Sequence, residues 1–565
     1  MKILPTTGTS LLALVLLASL VSRANSQDRF FNQTNFGDFA LPANWQGANP
    51  PSTGFANTFI GSSDLGSPTL VPVTAFLASD VSSWETGRLF LGQGGSGNAT
   101  LIISNGGSLQ YGEVYIGRDA AAIGVVNQSG GTNRVNTGTF EILSGSSGTG
   151  TYNLSGGVLN TVQAGAIAIK VGASGAGTGY FNMSGGTLNA GSDFATQQHS
   201  LNVGWESKGE ATFSGGTANI TGDLNAGNNG NGLVTISDSA TVNARNLNVG
   251  LQAGGANSRL TVSGGTVSVT NGIVVSNSSV LNMSGGTVSA TGLRIASGSI
   301  MNDSGGSLNL PSITNNGSIV YSNSSGTLTR SNAISGSGAV TKSGAGSVTL
   351  TANNTYTGNT TVNAGSLIIN GNQSSANGVL NVAAGATLAG SGTIGGAATI
   401  NGLHSPGNSP GIQTFSAGLT YATGATLVWE LTGNTSTGRG TSFDGVDVTA
   451  GTLSVGSGVT SSLVFNGTGS TVSWSDAFWA SNQQWLVFDN ASLPTVSSNV
   501  FDTINDGLDI SSQSLTSVRS GASFSWDTVG NDVYLTYTIP EPSTYALLVL
   551  AASGLGAHVL RGRRR

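Results

Sequence analysis

Few residues in this 565-residue chain carry groups that make or break covalent bonds. It has no cysteine, which excludes thiolate nucleophiles, thiolate metal sites and disulfides. Its three histidines are His199, His404 and His558. Glycosidases and polysaccharide lyases need paired carboxylates with basic partners. One stretch offers them: Glu206, Lys208 and Glu210, near His199 and Asp193. The favoured reading of that cluster is a solvated loop, because no neighbouring repeat carries matching charges. A second acidic group, Asp502, Asp506 and Asp509, lies in FDTINDGLD. An EF-hand loop would need Asp or Asn where Ile504 stands and Glu where Gln513 stands, so that motif fails. The calcium-binding nonapeptide GGxGxD is absent too. No serine triad can be assembled, because His404 sits in a Ser-Pro-Gly turn region and His558 in the terminal segment. The expectation is a protein with no catalytic, cofactor-binding or metal-binding residues.

What remains is a scaffold, and its composition is unusual. Glycine accounts for 87 residues and only 8% are charged, yet 38% are hydrophobic. Sparse charge with ample apolar residues argues against disorder, and a net charge of −6 argues against a nucleic-acid partner. Seven Ser-Gly-Gly triplets begin at Ser129, Ser155, Ser184, Ser214, Ser263, Ser284 and Ser304. The wide gap after Ser214 holds a degenerate member at Ser237-Asp238-Ser239, and Asn105-Gly106-Gly107 is an earlier cousin. Around each triplet apolar residues alternate, as in RLTVSGGTVSVT, which is the period of a strand. Gly-Gly supplies the positive φ of a sharp corner. Units this short cannot bury an apolar face alone but can when stacked. The predicted fold is all-β: a right-handed parallel β-solenoid (β-helix), with outward Thr, Ser and Asn forming ladders along its axis. A series of β-sandwiches is the alternative. Residues 27–325 form the triplet region and 326–420 a second repeat region. Residues 421–538 are aromatic-rich, and Trp474, Trp479, Trp485 and Trp526 are expected to fill a smaller β-sandwich-like C-terminal domain or to cap the open end of the solenoid.

Both ends read as addresses. Residues 1–26 combine Lys2, the apolar run LLALVLLASLV and small residues before a cut after Ser26, the pattern of a signal peptide removed by signal peptidase. Residues 539–565 combine two prolines, a marginal apolar span and a basic stop of Arg561, Arg563, Arg564 and Arg565. Loss of both ends removes six basic residues, so the mature body carries 13 bases against as many as 25 acids. Such a body would be repelled by anionic membranes.

Two resemblances sharpen this. Pro540, Glu541, Pro542, Ser543 and Thr544, with the span and arginines behind them, resemble the PEP-CTERM sorting signal of Gram-negative exoproteins. The resemblance implies transient membrane insertion, processing by an exosortase, and delivery across the inner membrane to the envelope surface or extracellular matrix. TLTANNTYTGNTTVNAGSL, within Lys342 to Leu367, resembles the autotransporter-associated β-strand repeat, followed by an SPGNSPG turn. This implies continued β-helix, as in surface-exposed passenger regions. Asn44-Trp45 is similar to the short tryptophan motif that opens such proteins.

The favoured function is an exported, non-enzymatic surface or matrix protein, structural or adhesin-like, as in a biofilm, with exopolysaccharide or other surface components as its partners. The alternatives are a secreted β-helix polysaccharide lyase or glycosidase, and an autotransporter passenger. The last would bring a C-terminal barrel of about 250 residues, and no alternating run of that kind precedes Arg565.

Overall fold

The computed structural model describes residues 29–540 apart from 32–35, 39, 46–54, 63–72, 82–85, 95–96, 137, 143–146, 162–168, 192–198 and 497–499. The expected signal peptide and all but the first two residues of the sorting segment lie outside the described residues. The described chain is all-β, with many parallel strands in sheets and one four-residue α-helix, Leu515–Val518. No helix among the described residues is long and apolar enough to cross a membrane. The chain divides into two compact units, residues 1–319 and 320–565.

In the first unit each strand pairs in parallel with its equivalent one repeat along the chain. Thr149–Asn160 lies between Ile123–Val135 and Thr178–Ala190, and Thr178–Ala190 in turn beside Lys208–Ala226. Arg259–Val269 pairs with Val280–Ser289 so that Leu260 meets Leu281, Val262 meets Met283 and Val267 meets Val288. Like falls on like because the alternation repeats with the chain. Leu260, Val262, Val267, Leu281, Met283 and Val288 are all buried, each such side chain contributing about 1.5–3 kcal/mol through the hydrophobic effect. Tyr152, Phe181 and Phe213 continue the stack inside, with ring centroids 5.9 Å apart at each step. The degenerate triplet takes its expected place: Gly232–Ile236 precedes it and pairs on one side with Lys208–Ala226 and on the other with Arg259–Val269.

Six of the seven triplets lie inside continuous strands, where several mark register shifts, and the last, at Ser304, separates Ile300–Asp303 from Ser307–Asn309. Both glycines are obligatory, for different reasons. A Cβ on Gly156 would lie 2.4 Å from the Ser129 carbonyl oxygen of the strand below. Gly157 has φ +75°, the left-handed region that L residues avoid. In the degenerate unit Asp238 stands in for glycine with φ +50°.

In the second unit an eight-stranded sheet runs from Thr327–Arg330 to Thr503–Asn505, with every pairing parallel. A seven-stranded sheet begins parallel and ends with Gln483–Asn490, Asp532–Thr538 and Ser523–Val529, which pair antiparallel. The expected sandwich over 421–538 is therefore replaced by parallel strands that continue to Asn505, with an antiparallel trio at their end. Alternation reports which face a side chain takes and not which way the neighbouring strand runs. TLVWE, Thr426–Glu430, pairs in parallel with Leu403–Pro406 on one side and Thr460–Val464 on the other. Trp474, Trp479 and Trp485 are fully buried in one aromatic cluster, whereas Trp526 is half-buried against Phe501.

Candidate functional site

The strand segment after each triplet presents two outward columns, separated by one inward residue that is apolar in every rung but one, where it is the buried Asn133. The first column runs Ser108, Thr132, Val158, Thr187, Thr217, Thr241, Thr266, Thr287, Ser307. The second, two residues along each strand, runs Gln110, Arg134, Asn160, Asn189, Asn219, Asn243, Ser268, Ser289, Asn309. Between them the inward Leu188, Ala218, Val242, Val267 and Val288 are buried, as period two requires. Neighbouring rungs stand about 4.8 Å apart. That spacing lets side-chain amides bond along the column: Asn219 Nδ2 donates to Asn189 Oδ1 and Asn243 Nδ2 to Asn219 Oδ1, each at 3.0 Å.

Beside the second column runs a groove. One section, about 410 Å³, is lined by Asn219, Ile220, Thr221, Asn243, Ala244, Arg245 and Thr270. The next, about 380 Å³, shares Asn243 and Thr270 and continues along Ser268, Val269, Ser289, Ala290, Thr291 and Asn309. The only ionisable side chain lining either section is Arg245, and its guanidinium lies 3.2 Å from Asp223 Oδ1. Asn246 Nδ2 also donates to that oxygen, at 2.7 Å. The groove is therefore effectively uncharged, with hydroxyls and carboxamides set among a larger share of apolar surface.

A different face of the same unit carries aromatic rings and paired charges. Phe59, Phe90 and Tyr115 stack at 4.9 and 5.0 Å, and Arg118 lies 5.0 Å from the last two rings. Burial, and then the Glu113 carboxylate, push the Tyr115 hydroxyl up to about 12. Lys170 pairs with Glu141 on the preceding rung at 3.1 Å and lies 5.0 Å from the Trp205 ring centroid.

The cluster singled out in the sequence does not converge. Glu206 is exposed, and Lys208 Nζ lies 2.6 Å from Glu210 two residues away on the same strand. Of His199 only the backbone is described, in register with Asp223, and Asp193 lies outside the described residues. In the second unit Asp509 is fully buried and accepts the backbone N–H groups of Ser511, Gln513 and Trp474. Asp502 accepts from Gly458 N, and Asp506 is exposed. Asp509 thus holds a loop together. No group of three or more His, Asp or Glu among the described residues is placed to hold a metal ion. Of the sorting residues only Pro540 is described, and it is exposed; Glu541, Pro542, Ser543, Thr544, Arg561, Arg563, Arg564 and Arg565 lie outside the described residues.

Three buried ionisable groups, Asp444, Glu430 and His404, hold roles that the sequence reading did not assign. Asp444 accepts from Gly411 N at 2.9 Å and Glu430 N at 3.0 Å, while Glu430 accepts from Ser409 Oγ at 2.6 Å. The two carboxylates thereby anchor the SPGNSPG turn, and burial pushes Asp444 up to about 8. His404 is fully buried between Tyr421 and Gln413, and burial pulls it down to about 4. The groove residues did leave a signal, the recurrent T-x-N or T-x-S immediately after the glycine pair.

Residues 340–369 match the sequence model of the passenger-associated transport repeat. The match coincides with the stretch in which Val340 pairs with Thr360 and Ser347–Leu350 with Ser366–Ile369, a single step of parallel stacking. No curated protein matches the chain.

Proposed function

We propose that this chain is an exported surface or matrix scaffold whose units are right-handed parallel β-solenoids, and that it works through its side-chain ladders rather than by catalysis. The observation that carries this reading is the one-repeat parallel register, which sets equivalent positions, mostly of like character, on one another rung after rung. Such an arrangement multiplies one surface many times, as a structural or adhesive element needs. The match to the passenger-associated repeat supports a secreted or surface-exposed location in a Gram-negative bacterium. Asp444 and Asp509 are committed to backbone donors and Glu113, Glu141, Glu210 and Asp223 to ion pairs, which supports a non-enzymatic role. In this reading an exosortase acts at Pro540-Glu541-Pro542 after transient insertion of the segment behind it.

Expression in a Gram-negative host with and without an exosortase, followed by fractionation and intact-mass measurement, tests the proposal. The expected product starts near Gln27, lacks the arginine tail and is recovered outside the inner membrane only when the exosortase is present. A cytosolic chain retaining Met1 and Arg565 would overturn it.

A further inference from the structure

We infer that the groove beside the Asn219–Asn309 column binds a linear, uncharged polysaccharide lying along the stacking direction. The inference rests on the scaffold reading only in placing the protein where such a polymer is met.

Four features point to this ligand. First, the two groove sections share Asn243 and Thr270 and follow successive rungs, so the site repeats by translation and suits a ligand that does the same. Second, its walls are hydroxyls and carboxamides, each both donor and acceptor. Asn219 and Asn243 commit one N–H to the ladder and keep a second for a ligand. A polyol can use both roles, whereas an anionic polymer would call for unpaired Arg or Lys. Third, Arg245 is already neutralised by Asp223, and the chain carries net negative charge. An acidic polymer would meet repulsion without a compensating ion pair. Fourth, the surface exposed in the groove is more apolar than polar, with half-buried Ala290 and the carbon atoms of the Thr and Asn side chains over the buried Ala244 and Val269, which suits the C–H face of a sugar ring.

Affinity electrophoresis of the purified full chain through gels containing a linear β-glucan, a linear mannan or polygalacturonate tests the inference. Thr270→Trp and Thr291→Trp place a bulky ring on the exposed groove wall, and Thr266→Trp puts the same ring on the adjacent column outside it. Circular dichroism first confirms that each variant is folded. At least one neutral polymer should retard the native protein, either groove variant should weaken that retardation tenfold or more, and Thr266→Trp should leave it within twofold. The inference is overturned if no neutral polymer retards the protein, if polygalacturonate binds more tightly, or if the groove variants match the native chain. It is also overturned if they abolish self-association in sedimentation instead, which would make the occupant a second copy. Correct export with no polymer binding would sink this inference alone, whereas failed export would sink the scaffold reading whatever the gels show.

Discussion

The side-chain amide of Asn225 donates to Oδ1 of Asn202 at 2.8 Å, one stacking step away, and both residues are fully buried. Asn248 donates in turn to Asn225 at 2.9 Å. A carboxamide can bond to its own copy indefinitely, because it carries a donor and an acceptor. A carboxylate or ammonium repels its copy. Parallel stacking at one-repeat register therefore selects against charge; where charges do stack they are offset by an opposite one, either on the next rung, as Lys170 over Glu141, or from outside the column, as Arg439 at 2.7 Å from Asp447, which is in register with Asp489. The low charge of the chain is a consequence of its register.

Interrupting this ladder should be expensive and local. Asn225→Leu removes both bonds and leaves Asn202 and Asn248 facing an apolar side chain, at a cost of about 1–3 kcal/mol for each buried group left unpaired. Stability in a stacked array is a sum over neighbours. Hydrogen exchange should accordingly speed up in Thr241–Val249 and His199–Val203 while strands of the second unit stay protected. Thr266→Ala, on an exposed position, should change exchange by less than about 0.5 kcal/mol. Uniform loss of protection through both units would contradict the neighbour-limited account.

The glycines separate into two classes that substitution can distinguish. Gly157 has φ +75°, and a Cβ there would meet the Gly130 backbone at 2.4 Å. Gly326 has φ +65° with nothing within 4 Å of an added Cβ. Gly326→Ala should cost only the backbone penalty, about 1–2 kcal/mol. Gly157→Ala adds a clash with backbone that cannot move without breaking the ladder, so it should exceed Gly326→Ala by at least about 2 kcal/mol. Equal effects in urea unfolding, read separately on each unit, would mean that the rungs tolerate more separation than the geometry implies.

Tryptophan burial gives a third contrast. Trp479 is fully buried, 4.7 Å from Trp474, and its Nε1 donates to Asn434 Oδ1 at 2.8 Å. Trp479→Ala should destabilise the second unit by about 3–5 kcal/mol, and half-buried Trp526 should give clearly less when truncated. Near-ultraviolet circular dichroism should lose most of its signal in the first variant only.

How far the sequence reached follows from what repetition can encode. The triplets at Ser155, Ser184 and Ser263 carried their own evidence, because a glycine pair at fixed offset from alternating Leu and Val admits few readings. Strand direction after Tyr421 had no such marker. TLVWE alternates like any strand, and only the partner's register, Trp429 over Leu463, reveals that it runs parallel. The groove was half-legible: Thr217 and Asn219 recur as Thr241 and Asn243, but the hollow beside them depends on where the chain bends after Ile220 and Ala244. Asp444 was hidden because its partners, Gly411 and Glu430, are backbone groups distant along the chain.

The pH dependence of the second unit should betray two opposed buried groups. His404 is held neutral, with Gln413 Oε1 at 2.8 Å from Nε2 and the Tyr421 hydroxyl at Nδ1, and its pKa falls to about 4. Between an unfolded value of about 6.5 and that folded value, only the unfolded chain holds the proton, so this group makes stability rise with pH. Asp444 is raised to about 8. From its unfolded value of about 3.9 up to that point, only the folded chain holds the proton, so this group makes stability fall with pH. From pH 4 to 6.5 the two slopes cancel, and from 6.5 to 8 Asp444 acts alone at about 1.4 kcal/mol per pH unit. Urea unfolding of the native chain should give a plateau followed by a decline. His404→Gln should extend the decline down to pH 4, and Asp444→Asn should turn the plateau into a rise. A native curve that stays flat from 6.5 to 8 would mean that Asp444 is ionised in the folded chain, its two backbone donors outweighing its burial.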